Sequence, residues 1–183
     1  VSKKEIDMSA VKFKDKTVKY NGQAQSIEIE GTLPKGVTVK YEGNDKVNAG
    51  TYTVTAKFEV DASKYNDIPD MTAKLTIEKA VPELPIISDL KATYGDKLES
   101  VELPKGYSWE AEEAALVGNA GRNEFTVKYT PEDTKNYKEV TGIKVIVEVG
   151  KATPKVEVPT GVEGQKGQKL EEIELPEGYE WKN

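Results

Sequence analysis

The chain repeats itself. Leu33-Pro34-Lys35-Gly36-Val37 returns 70 residues later as Leu103-Pro104-Lys105-Gly106-Tyr107, and after a further 72 as Leu175-Pro176-Glu177-Gly178-Tyr179. Asn48-Ala49-Gly50 recurs as Asn119-Ala120-Gly121, and Lys79-Ala80-Val81-Pro82 as Lys151-Ala152-Thr153-Pro154. A near-constant period with matched landmarks marks an array of like modules, because each repeat must be one folding unit of the same design. Two whole modules are expected, over residues 1–80 and 83–152, with an incomplete third over 155–183. Some 30 residues cannot enclose a core of their own. The third unit is therefore expected to pack on the second, to pair or exchange strands with another chain, or to be the stub of a longer array.

Within each module the apolar residues alternate. Tyr52, Val54, Ala56 and Phe58 share one face, as do Phe125, Val127 and Tyr129, and then Ile143, Val145, Val147 and Val149. Period two with β-branched and aromatic residues predicts half-buried antiparallel strands. The Leu-Pro-Lys-Gly and Asn-Ala-Gly sequences between these runs supply turns. Short strands at regular intervals predict an all-β fold of tandem immunoglobulin-like β-sandwich modules. The one helical stretch in prospect is a short turn over Trp109 to Leu116, ended by Gly118. Prolines in Ala80 to Pro85, and at Pro154, predict short stiff connections, the geometry of a stalk.

Composition narrows the chemistry. The chain has no cysteine and no histidine, so disulfides, thiolate metal sites, cysteine nucleophiles and Ser-His-Asp arrangements are excluded. The net charge of -6 is spread over interspersed charges of both signs, and the only basic pair, Lys3-Lys4, is too short to track a phosphate backbone. Nucleic acid is not an expected partner. No apolar run is long enough for a membrane helix. A first residue of valine is what a processed or excised piece would carry.

The remaining candidates have structural readings that outweigh functional ones. Asp61-Ala62-Ser63-Lys64-Tyr65 and Asp133-Thr134-Lys135-Asn136-Tyr137 share an Asp-x-x-x-Tyr spacing just after a strand. Tyr65 and Tyr137 are read as corner tyrosines, which bury the ring and bond the hydroxyl to nearby backbone. Trp109 and Trp181 occupy matching places, where module one has Val39, and are read as packing residues. Tyr52, Phe58, Phe125 and Tyr129 complete the expected core, in which losing one large ring costs about 3–5 kcal/mol. Asp61, Asn66, Asp67 and Asp70 form an acidic loop, but without calcium-loop spacing. Glu110, Glu112 and Glu113 read as a solvated face, and paired carboxylates for glycoside hydrolysis lack an expected cleft. No cofactor, metal or catalytic residue is assigned.

Tyr20-Asn21-Gly22, Gly31-Thr32-Leu33-Pro34-Lys35-Gly36-Val37, Asn48-Ala49-Gly50-Thr51-Tyr52 and Ile77-Glu78-Lys79-Ala80 resemble MBG-type repeats, the mostly bacterial immunoglobulin-like modules of large surface proteins. Thr93-Tyr94-Gly95-Asp96, the run from Leu103 to Trp109 and the run from Thr130 to Tyr137 are similar to a companion repeat of Firmicutes cell-wall proteins. The third unit departs from the pattern with Lys166 where Tyr94 would recur. The resemblance implies an extracellular, wall-attached parent and a non-enzymatic spacer or adhesin-stalk role. Its partners would be neighbouring repeats, with host glycans or proteins bound by distal domains. The rival expectation is a binding module that uses loops 42–50 or 110–120. Some Gram-positive surface sandwiches carry intramolecular isopeptide bonds, for which Lys79 and Lys151 are the candidates here.

Overall fold

The computed structural model describes residues 2–112 and 114–182. Strand β1 (Lys16–Lys19), β2 (Thr38–Glu42), β3 (Gly50–Glu59) and β4 (Met71–Glu78) form one sheet in the order β1-β4-β3-β2. Strands β5 (Leu90–Thr93), β6 (Tyr107–Trp109), β7 (Gly121–Tyr129) and β8 (Val140–Gly150) form a second in the order β5-β8-β7-β6. The fold is all-β and sandwich-like, and the two sheets have the same topology.

The alternation in sequence becomes burial. Along β3, Val54, Ala56 and Phe58 point inward while Lys57 and Glu59 face water. Along β8, Val145, Val147 and Val149 do the same. Each fully buried Val or Leu contributes about 1.5–3 kcal/mol of hydrophobic stabilisation. The opposing layer of module one is formed by extended segments joined by the isolated bridges Lys12↔Glu30 and Gln25↔Lys46. It contributes Val11, Ile27 and Val37 to the core. Gly31 sits there at φ 95°, where an added Cβ would lie 2.2 Å from the Ala10 carbonyl oxygen, so the close approach of these two segments requires glycine.

Two expectations need correction. Not all pairs are antiparallel: β1 runs parallel to β4, and β5 parallel to β8. Alternation fixes which face is buried, and it is silent on strand direction. The hairpin β2–β3 intervenes between β1 and β4, which is the long crossover that parallel pairing requires. Because its first and last strands run the same way, each module admits the chain at one end and releases it at the other. The second correction concerns Trp109 to Leu116. Trp109 ends β6, the Ala115 N–H donates to the Glu112 carbonyl at 2.9 Å, and Leu116 bridges to Lys97, so the described residues of this stretch form no helix. Glu113 lies outside the described residues. The helical turn is instead a 3-10 turn at Leu98–Ser100, which places Leu98 in the core.

Residues 151–183 form a separate compact unit. Among its described residues there is no strand, and none of the buried core hydrophobics comes from it. It nevertheless repeats local details of module two. A 3-10 turn at Leu170–Glu172 stands where the repeat predicts the counterpart of Leu98–Ser100. The three Leu-Pro-x-Gly turns have glycine φ angles of 85°, 90° and 88° at Gly36, Gly106 and Gly178. Each closes by a bond from the residue after glycine to the proline carbonyl, at 3.1, 3.1 and 3.2 Å. The Tyr107 hydroxyl donates to the Pro85 carbonyl at 2.7 Å, and the Tyr179 hydroxyl likewise to that of Glu157. These features recur because they are local in sequence and need no completed sheet.

Candidate functional site

The structure concentrates its buried polarity at the join between modules one and two. Asn136 is 5% exposed, the buried polar side chain among the described residues. It lies in the corner Asp133-Thr134-Lys135-Asn136-Tyr137, and nearly every polar atom it has is satisfied. Its Nδ2 donates to Asp133 Oδ2 at 2.8 Å and to Asn48 Oδ1 at 3.1 Å. Its Oδ1 accepts the Ala49 N–H at 2.8 Å. Its backbone N–H donates to Asp133 Oδ1 at 3.1 Å, and its carbonyl accepts the Ala80 N–H at 2.9 Å. The Lys138 N–H returns a bond to the Ala80 carbonyl at 2.8 Å, so Ala80 and Tyr137 form a parallel bridge. A buried amide is costly unless paired, and here the pairing crosses from one module to the other.

Module one is shaped to receive this corner. Its Asn48-Ala49-Gly50 turn is held by the Tyr52 hydroxyl, which donates to the Asn48 carbonyl at 2.8 Å. The Tyr20 ring meets Tyr137 edge to face, with centroids 5.4 Å apart. Such pairs add about 0.5–1.5 kcal/mol beyond area burial. The Lys79 Nζ donates to the Thr134 carbonyl at 2.6 Å. This exposed amine is engaged by a main-chain oxygen of the corner. The segment from Ala80 to Pro85 is therefore a built joint, with the 42–50 loop engaged in it and in the fold. Asn44 exchanges two bonds with the backbone of Ile27, at 2.8 and 2.9 Å.

The corresponding corner of module one has the same backbone and a different side chain. The Lys4 N–H donates to the Lys64 carbonyl and the Asn66 N–H to the Lys4 carbonyl, both at 2.9 Å, which is the pattern Ala80 makes with Asn136 and Lys138. Where module two has Asn136, module one has Lys64, paired with Asp61 at 2.8 Å. Lys64 and Ser63 hold the Asp61 carboxyl down to about 2, and Asp61 is thus engaged locally. Among the described residues no group of three or more acidic side chains converges as a metal site.

Asp133 is held below its ordinary value chiefly by the bond from the Asn136 side chain, which outweighs the opposing effect of burial, with smaller help from the backbone N–H groups of Asn136 and Lys135. A lowered folded value means that the carboxylate stabilises the fold above its unfolded value near 4. That contribution is lost as pH falls through the lower folded value. Acidification below pH 4 is therefore expected to broaden or shift the amide signals of Ala49 and Asn136 before those of the module cores. Asp133→Asn should remove that early step, measured by amide NMR from pH 6 to 2. Core and joint signals changing together in both proteins would overturn it.

Of the residues read from sequence as core or corner, Phe58 is buried. Trp109 stacks edge to face on Phe125 at 5.9 Å, and Tyr129 packs on Tyr107 at 4.9 Å. Tyr52 and Tyr137 come together with the joint, whereas Tyr65 lies at the module-one corner, bridged to Lys4. The hydroxyl-to-backbone bonds expected of Tyr65 and Tyr137 are made instead by Tyr52, Tyr107 and Tyr179, whose hydroxyls donate to carbonyls, and by Tyr41, whose hydroxyl accepts the Ile29 N–H at 2.9 Å. Asn136, Asn48 and Tyr20 were not singled out from sequence as joint residues, although Asn48 and Asn136 sit inside repeated motifs.

Fold and joint together define the class: tandem small all-β modules with a hydrogen-bonded connection between consecutive copies. Comparison with known proteins matches the chain to no family model and to no curated protein. Among the described residues no helix is long and apolar enough to cross a membrane.

Proposed function

We propose that this chain is part of a non-enzymatic spacer, or stalk, of a bacterial cell-surface protein of the MBG-repeat type. It would lie outside the cell and hold a distal binding domain away from the wall. The observation that carries the reading is the Asn136 joint. A spacer needs successive modules to be fixed to one another, and here the corner of one module is seated in the turn of the one before it. The through-running strand order of each module supports the same reading, since the chain leaves at the end opposite to its arrival. The Asn-Ala turn and the Asp-x-x-x-Tyr corner are among the residues that carry the resemblance.

Small-angle scattering on the 183-residue chain, with mass determined in the same run, tests this. An elongated monomer, with a maximum dimension near that of modules one and two end to end, is expected. A compact particle, or a dimer joined through residues 155–183, would overturn the spacer reading and turn attention to the newly covered surface as a ligand site.

A further inference from the structure

Module two repeats the receiving half of the joint. Tyr94 is the structural counterpart of Tyr20: the Tyr20 N–H donates to the last residue of β4, Glu78, at 2.8 Å, and the Tyr94 N–H to the last residue of β8, Gly150, at 2.9 Å. Asn119-Ala120-Gly121 is the counterpart of Asn48-Ala49-Gly50, since Gly121 opens β7 opposite Val149 as Gly50 opens β3 opposite Ile77. Even the brace on the turn is kept. The Asn123 Nδ2 donates to the Asn119 carbonyl at 2.7 Å, in the role that the Tyr52 hydroxyl plays for Asn48.

What differs is cover. Asn48 and Ala49 are half-buried under the Asn136 corner, whereas Asn119 and Ala120 are exposed. Tyr94 is 55% exposed, whereas Tyr20 is half-buried against Tyr137. The Ala49 N–H is bonded to Asn136, and the Ala120 N–H has no protein acceptor among the described hydrogen bonds. An aromatic face, a side-chain amide and a free backbone donor are thus held in the arrangement that one module away binds a defined partner.

We infer that Tyr94, Asn119 and Ala120 form a docking socket for the Asp-x-x-Asn-Tyr corner of a further module of the module-two type. The chemistry selects that corner over the one in module one. An asparagine both donates to the turn's side-chain oxygen and accepts from its alanine N–H, whereas a lysine such as Lys64 only donates. A module-one corner in the socket would leave the Ala120 N–H unpaired, so the socket prescribes which kind of module follows. The inference does not depend on the surface location of the parent protein, and its test reads one amide independently of particle shape.

The test lengthens the full chain by a second copy of residues 79–150 inserted after Gly150, and follows amide hydrogen exchange by NMR. In the natural chain Ala49 should be protected and Ala120 should exchange freely. In the lengthened chain Ala120 should slow at least about tenfold, the value of one hydrogen bond of roughly 1.4 kcal/mol. Asn136→Lys in the added copy alone should restore fast exchange at Ala120. The added module's own core amides, including the counterpart of Val127, report that it remains folded in both proteins. An unprotected Ala120 beside a folded added module would overturn the proposal, and so would protection that survives Asn136→Lys.

Discussion

Leu98→Ala is expected to destabilise module two by about 3–4 kcal/mol, whereas Leu170→Ala should change stability by less than about 0.5 kcal/mol. The two leucines occupy the same place in the repeat, each opening the same 3-10 turn. Leu98 is 0% exposed in a core with Leu90, Val101, Val117, Val127, Val145, Val147 and Val149. Leu170 is 53% exposed. Truncating Leu98 removes its transfer free energy and leaves a cavity that the surrounding valines cannot fill, whereas truncating Leu170 removes side chain that is largely in water. Urea denaturation, followed by the fluorescence change of Trp109 in a Trp181→Phe background, reads the stability of module two in both variants. Comparable losses in the two variants would mean that Leu170 is as enclosed as Leu98 in solution.

The second large effect is at the joint. Asn136→Ala is expected to cost about 2–3 kcal/mol, because it strands the Ala49 N–H and Asn48 Oδ1 in a dehydrated place as well as losing bonds. Each lost bond alone would be worth about 1 kcal/mol. The loss should appear mainly as uncoupling. Amides of Ala49 and Ala80 should exchange far faster while those of Val54 and Val147 keep their protection. Asn136→Asp should fare no better, since it replaces a donor to Asn48 with a second carboxylate beside Asp133. Unchanged exchange at Ala49 in Asn136→Ala would show that the modules are held by their apolar contacts and the covalent link alone.

The chain's own order of residues carried the repeat, the alternation of Val54, Ala56 and Phe58, and the turns at Gly36, Gly106 and Gly178. All of these follow from forces that act over a few neighbouring residues: side-chain burial with period two, the fixed φ of proline, and the left-handed conformation that glycine accepts. They were legible for that reason, and they persist even in residues 151–182, where no sheet is completed. Composition likewise excluded thiol and imidazole chemistry without any coordinates.

Tertiary structure alone decided the rest. The parallel placement of β1 against β4 and of β5 against β8 depends on where a distant strand lies, about which alternation carries no information. The role of Asn136 is the sharper case. In sequence it is one polar residue in a loop, next to a tyrosine that attracts more notice, and a polar loop residue is ordinarily solvated. It is buried because the Asn48-Ala49 turn, 88 residues away from it at Asn48, is brought against it and supplies both an acceptor and a donor. The same five-residue corner in module one carries Lys64, paired with Asp61, in place of the amide. Sequence determined the modules; only the meeting of two of them turned an amide into a joint, because a hydrogen bond between distant residues exists only once folding has removed the water between them.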